Sequence, residues 1–174
     1  MSRYAALLRG INVGSQNKVP MAELRLAMTE AGLEDVDTYI QSGNITFEAT
    51  YGVLELEQRI EKQMSRSFRP GIRTIVRSQA DLERIVRSNP LLNKASDVAK
   101  LHVTFLGTQP MNCEVPGDYA PDEFTVIGRE VYLHCPGGYG TSKINNAFFE
   151  RKLGVVATTR NWKTVTALQR LVSR

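Results

Sequence analysis

The chain is predicted to fold as an α+β protein of two ferredoxin-like βαββαβ halves. Each half is an antiparallel sheet with helices on one face, and a linking helix and a C-terminal helix complete the chain. Three observations predict this. Segments with strand and helix periods follow one another in the order βαββαβ over the first 78 residues. A similar order recurs after residue 100. A chain of 174 residues, 42% of them hydrophobic, is long enough for one compact domain or two small ones. The expected organisation is residues 1–78 as the first half, 79–99 as a linking helix and loop, and 100–174 as the second half with the C-terminal helix.

The elements follow in order. Tyr4 to Arg9 reads as a strand because its apolar run stops at Arg9-Gly10. Met21 to Ala31 reads as a helix, with Met21, Leu24 and Met28 on one face, Pro20 suited to the helix start and Gly32 as its stop. Val36 to Gln41 and Asn44 to Glu48 form a hairpin about Ser42-Gly43. Val53 to Phe68 is a helix with an apolar stripe of Val53, Leu56, Ile60, Met64 and Phe68 beside a basic stripe of Arg59, Lys62, Arg66 and Arg69. Ile72 to Arg77 is the closing strand, and Ala80 to Arg87 the linking helix, stopped by Asn89-Pro90.

In the second half, Leu101 to Leu106 is a strand and Pro110 to Val115 a short helix cut off by Pro116-Gly117. Glu123 to Ile127 and Glu130 to Cys135 form a hairpin about Gly128-Arg129. Ser142 to Leu153 is a helix with Thr141 or Ser142 as its N-cap. Val155 to Thr158 is a strand, and Trp162 to Val172 the final helix, capped by Asn161.

Several function classes are excluded or weakened. No run of about 18 apolar residues is present, so no membrane partner is expected. The first residues lack the charged and apolar regions of a signal peptide. Two cysteines, Cys113 and Cys135, form no disulfide framework, and a reduced, cytoplasmic setting is expected. The net charge of +4 is mild. Seven basic residues face one acid between Lys143 and Arg174, and six face Glu61 between Arg59 and Arg77; solvated helix faces account for such runs. His102 and His134 lack metal-ligand spacing, and no pair of carboxylates stands out for acid–base work. No metal or cofactor is expected, and the sequence assigns no catalytic residues.

Four segments carry candidate chemistry. The loop Arg9 to Lys18 combines Arg9, Asn12 and Lys18 with Gly10 and Gly14, residues suited to an anion nest, without the spacing of a dinucleotide fingerprint or a phosphate-binding loop. A connector that needs glycine geometry, with Arg9 paired to an acid, explains the same residues. Tyr39, Gln41, Ser42 and Asn44 stand at the first hairpin; turn chemistry accounts for Ser42-Gly43, and Gln41 is the better candidate contact. Cys135-Pro-Gly-Gly-Tyr-Gly-Thr-Ser-Lys143 leads a glycine-rich loop into a helix, where Lys143 could meet an anion and capping explains Thr141 and Ser142. In Thr158-Thr-Arg-Asn-Trp-Lys-Thr164, Arg160 could hold a carboxylate or phosphate beside the Asn161 cap.

Leu7-Leu-Arg-Gly-Ile-Asn-Val-Gly14, Met21-Ala-Glu-Leu24, Thr38-Tyr-Ile-Gln-Ser-Gly-Asn44, Gly138-Tyr-Gly-Thr-Ser-Lys143 and Ala157-Thr-Thr-Arg-Asn-Trp-Lys-Thr164 together resemble a bacterial domain family of unknown function, DUF1697. The likeness spans nearly the whole chain. It departs at Gly14-Ser15, where the family pattern often has two glycines. The resemblance implies two ferredoxin-like halves and no established activity. It also implies that Arg9, Gly10, Asn12, Gly14, Tyr39, Gln41, Gly43, Asn44, Lys143, Arg160 and Asn161 are family motif positions.

The expected function is binding of a small anionic ligand, a nucleotide, phosphate or carboxylate, in a cleft between the halves. Arg9, Asn12, Lys18, Gln41, Asn44, Lys143, Arg160 and Asn161 are the expected ligand-binding residues. One alternative is nucleic-acid binding, for which the central strands offer only the scattered aromatics Tyr39, Phe47 and Phe105. The other is an interaction module without a ligand.

Overall fold

The computed structural model describes residues 1–13, 15 and 18–174. Gly14, singled out above, lies outside them. The chain divides into two compact units, Met1–Glu83 with Leu168–Arg174, and Arg84–Ala167.

The first unit holds β1 (Ser2–Leu8), α1 (Met21–Glu30), β2 (Glu34–Tyr39), β3 (Asn44–Ala49), α2 (Val53–Ser67) and β4 (Thr74–Ser78). Its sheet has the order β2-β3-β1-β4, antiparallel throughout, which is the ferredoxin-like arrangement. Ala6 and Leu8 of β1, Ile45 and Phe47 of β3 and Val76 of β4 pack in one core with Leu24 and Met28 of α1 and Leu56, Ile60 and Met64 of α2. The helical stripe read from the sequence of α2 is the face that enters this core. Helix α3 (Gln79–Arg87) follows β4 without a break. Ser78 caps it through a reciprocal pair: the Asp81 carboxylate accepts from the Ser78 N–H at 3.1 Å, and the Ser78 hydroxyl accepts from the Asp81 N–H at 3.1 Å.

The second unit holds β5 (Leu101–Leu106), β6 (Glu123–Ile127), β7 (Glu130–His134), α4 (Asn146–Leu153) and β8 (Ala157–Asn161). Helix α5 (Trp162–Val172) begins directly after β8, and from Leu168 its residues belong to the first unit. Its sheet, also antiparallel, has the order β6-β7-β5-β8, the same permutation as the first. The core gathers Leu106, Val131, Leu133, Ile144, Phe148, Phe149 and Ala157.

Two expectations are corrected here. The helix expected over Pro110–Val115 is irregular loop. Prolines at 110 and 116 deny it backbone donors, and the Asn112 side chain accepts the Glu114 N–H at 2.9 Å, a local turn that competes with helix. Helix α4 begins at Asn146 and not at Ser142. Its cap is Asn145, whose side chain accepts the Phe148 N–H at 3.0 Å; Tyr139–Thr141 form a separate 3-10 turn.

Strand β4 lies at the rim of its sheet, and three carboxylates close its outer side. Glu61 accepts from the Thr74 N–H at 2.9 Å, Glu57 from the Val76 N–H at 3.0 Å, and Asp81 from that of Ser78. These are alternate residues, the set whose N–H groups point away from β1. Glu57→Ala leaves the buried Val76 N–H without this acceptor and is expected to cost about 1–3 kcal/mol in chemical denaturation, with Glu57→Gln costing less because its amide oxygen still accepts. Phe47→Ala is expected to cost about 3–5 kcal/mol in the same measurement, since Phe47 is fully buried in the first core.

Candidate functional site

The β1–α1 loop and the β2–β3 turn meet at the end of the first sheet. The Leu8 N–H donates to the Gly43 carbonyl at 2.8 Å, and the Arg9 N–H to the Arg73 carbonyl at 2.9 Å. Ile40–Gly43 form the turn, outside the strands. Gln41, expected as the last residue of its strand, therefore lies in the turn, because β2 ends at Tyr39. Gly43 has φ +83°, and a Cβ there would sit 2.8 Å from Ile11 Cγ1 and 3.0 Å from Leu8 Cβ. Glycine is required by both conformation and space, and its absent side chain lets the loop lie against the turn.

Asn12 fastens the two segments. Its backbone is left-handed, with φ 53°, a conformation asparagine tolerates better than most residues. Its Nδ2 donates to the Gln41 carbonyl at 2.7 Å and the Val19 carbonyl at 3.1 Å, and its Oδ1 accepts the Val19 N–H at 2.6 Å. One amide therefore joins the loop, the approach to α1 and the hairpin turn. Arg69 adds a further tie, donating from Nη2 to the Gly10 carbonyl at 3.1 Å.

A cavity of about 260 Å³ opens beside this junction, lined by Asn12, Lys18, Val19, Pro20, Met21 and Gln41. Three of the eight expected residues thus share one pocket. Lys18 and Gln41 are exposed there. Asn44 is buried, and its Nδ2 donates within the hairpin, to the Tyr39 carbonyl at 3.1 Å and Ser42 Oγ at 2.8 Å. Val19, Pro20 and Met21 were missed as site residues, although Pro20 had marked the start of α1. Arg69 was missed because its tie to the loop spans 59 positions.

Arg9, also expected here, is half-buried and is not among the lining residues of this cavity. Three further expected residues lie in the second unit. Lys143 is exposed at a separate cavity of about 260 Å³ whose lining includes Asp118, Asp122, Gly138, Thr141 and Ser142. Two carboxylates beside one ammonium make it electrostatically mixed. Asn161 is the cap of α5, its Oδ1 accepting the Thr164 N–H at 2.8 Å. Arg160 is buried, donating from Nη1 to Thr158 Oγ1 at 2.7 Å and the Thr159 carbonyl at 3.0 Å. Burial pulls its pKa down to about 10, against the nearby Tyr139, which acts to raise it.

Three further titratable groups are shifted, each chiefly by burial. Burial pushes the Cys135 thiol up, with Ser142 hydrogen bonding opposing and Asp122 reinforcing. Tyr132 is raised to about 12, chiefly by burial and then by Glu130, with Arg84 opposing. His102 stacks on Tyr139 with ring centroids 4.7 Å apart. Burial lowers its pKa, against the Lys100 backbone, which acts to raise it. Among the described residues no group of three or more His, Cys, Asp or Glu could hold a metal ion.

Asn12→Ala is expected to cost about 1–3 kcal/mol in denaturant unfolding and to speed amide exchange at Val19. The lowered pKa of His102 sets the sign of a pH effect. Below the ordinary value of 6.5 the unfolded chain binds a proton that the native His102 resists, so native stability falls as the pH drops. His102→Gln is expected to lose less stability than the parent between about pH 8 and about pH 5, read from urea midpoints.

The structure is similar to "The structure of conserved bacterial protein SP0830 from Streptococcus pneumoniae", with a TM-score of 0.75 and 27% sequence identity over 98% of each chain. No curated protein matches the chain. The profile of the family described as "Protein of unknown function (DUF1697)" matches residues 1–132, which include the β1–α1 loop and the β2–β3 turn. The later motifs, Gly138 to Lys143 and Ala157 to Thr164, fall beyond the matched span. With three quarters of its length matched, the chain belongs to the DUF1697 family of proteins of unknown function.

Proposed function

We propose that the first unit binds a small anion in the pocket between the β1–α1 loop and the β2–β3 turn. The carrying observation is that Asn12, Lys18 and Gln41, chosen for their chemistry, line one cavity at the end of a sheet. Lys18 supplies the charge and Gln41 a side-chain amide. Asn12 holds the walls, since its own amide is spent on Val19 and Gln41. The adjoining start of α1 carries no side-chain cap, so its leading N–H groups add positive potential beside Lys18.

A volume of about 260 Å³ suits a phosphate, a small carboxylate or the phosphate end of a larger molecule more than a whole nucleotide. Nucleic-acid binding draws less support. In the basic tract from Arg59 to Arg77, Arg59 pairs with Glu55 at 2.9 Å and stacks 3.8 Å above the Tyr51 ring, and Arg73 pairs with Glu61 at 3.1 Å.

NMR titration with inorganic phosphate and with a nucleoside monophosphate tests the reading. Lys18 and Gln41 signals are expected to shift, and Lys18→Ala to weaken binding about 5- to 10-fold, the loss of one charge-assisted contact. Lys143→Ala is expected to leave affinity unchanged. Absence of any shift at Lys18 and Gln41 at millimolar anion defeats the proposal.

A further inference from the structure

The second sheet has one edge that the chain leaves open. Each unit has two rim strands, and three of the four are closed. On β4 the carboxylates of Glu61, Glu57 and Asp81 occupy the outward N–H groups. Strand β2 is acidic, with Glu34, Asp35 and Asp37, and it is broken by an irregularity between Glu34 and Asp37 where Asp35 has φ 46°. Helix α1 also reaches it, Arg25 donating to Thr38 Oγ1 at 2.7 Å. On β8 the Asn146 amide takes the Ala157 carbonyl at 3.0 Å and Arg160 takes that of Thr159. Among the described residues, strand β6 has neither such caps nor a helix at the place α1 holds in the first unit.

The outward groups of β6 can be named. A two-residue hairpin turn, Gly128-Arg129, joins β6 to β7, with Ile127 opposite Glu130 and φ 61° at Gly128. In such a hairpin the residues flanking the turn exchange both backbone hydrogen bonds, so Ile127, Thr125 and Glu123 bond to β7. The N–H and C=O of Phe124 and Val126 then point away from the sheet. No backbone bond outside the ladder and no side chain of the described residues engages them.

The side chains of this strand complement themselves. In an antiparallel pairing of β6 with its own copy about a two-fold axis through Thr125, Phe124 faces Val126 of the second copy. Both residues have their N–H and C=O free, so four hydrogen bonds form. Phe124 and Val126 already pack on the second core, so their pairing extends one apolar surface. Thr125 faces Thr125. Glu123 carries the only charge of the strand and falls opposite Ile127, which is 43% exposed, so no like charges meet. Glu123 is itself held by Lys94 and His134, each at 3.4 Å.

We propose that β6 is a self-association edge: two copies of this chain pair antiparallel through Glu123–Ile127 into one continuous eight-stranded sheet. A strand of five residues buries much less than the roughly 1,200 Å² of a stable interface. The dimer is therefore weak, with a dissociation constant on the order of hundreds of micromolar.

Sedimentation equilibrium across concentrations spanning that range tests the idea, with amide exchange recorded at both ends. The expected result is a monomer–dimer equilibrium in which Phe124 and Val126 amides exchange several-fold more slowly at high concentration. Val126→Pro removes an outward N–H while sparing the ladder to β7, a position where proline is tolerated, and is expected to leave only monomer. Thr125→Lys sets two ammonium groups face to face at the axis and is expected to do the same, with a native circular dichroism spectrum showing that the fold is kept. A monomer at every concentration overturns the proposal. So does a dimer that persists in both variants, or one whose formation leaves Phe124 and Val126 exchange unchanged.

Discussion

A sheet must dispose of the backbone polar groups at its rims, and the fold is organised around that constraint. The central strands β1 and β5 are bonded on both sides and can be almost wholly buried: Ala5 to Leu8 and Val103 to Leu106 are all at most 1% exposed. Rim strands have no second neighbour. An N–H left in an apolar setting costs about 1–3 kcal/mol, so each rim group needs an acceptor or water. Strand β4 solves this with carboxylates supplied largely by α2. The helix thus acts twice, giving Leu56, Ile60 and Met64 to the core and Glu57 and Glu61 to the rim. The two sets interleave on one helix turn after another, which fixes the rotation of α2 over the sheet.

That double duty explains which parts of the fold were legible in the sequence. The core side of α2 shows as a 3- and 4-residue period and was readable. The rim side shows as ordinary exposed glutamates, because an acceptor for a strand N–H 13 or 19 positions away leaves no local mark. Strands β5 and β6 and helix α5 matched their expected bounds, since each is set by short-range chemistry: an apolar run, a glycine turn, an asparagine cap. The start of α4 was misplaced for a similar reason. Thr141, Ser142 and Asn145 can all cap, and long-range ties decide among them: Ser142 bonds Asp122 at 2.7 Å, while Asn145 is left to receive Phe148.

The candidate site was legible in part by the same rule. Lys18 stood out as a cation in the glycine loop and Gln41 as a polar residue that turn chemistry explains poorly, and both are exposed at the pocket. Asn12 also stood out, and its role differs from the one its residue type suggested. A side-chain amide that makes these three bonds to neighbouring backbone has both N–H donors committed and none left for an anion. Its contribution is to hold the loop against the turn. Asn44 makes the corresponding contribution inside the hairpin. Asparagines that hold a backbone shape and cations that face solvent give similar sequence signals and separate only in three dimensions.

The second unit tests how far one strand permutation constrains its helices. It keeps the β6-β7-β5-β8 order without a helix between its first two strands. The apolar cover comes from the loop: Val115 and Tyr119 pack on the core, and the Tyr119 ring lies 5.2 Å from Phe148 and 5.7 Å from Phe124. These substitutes bury side chains as a helix would, but they align nothing along the rim strand. In the first unit α1 brings Arg25 to Thr38 and so guards β2; a loop anchored through two side chains offers β6 no equivalent row. An open edge is then the structural consequence of replacing a helix with a loop while keeping the sheet.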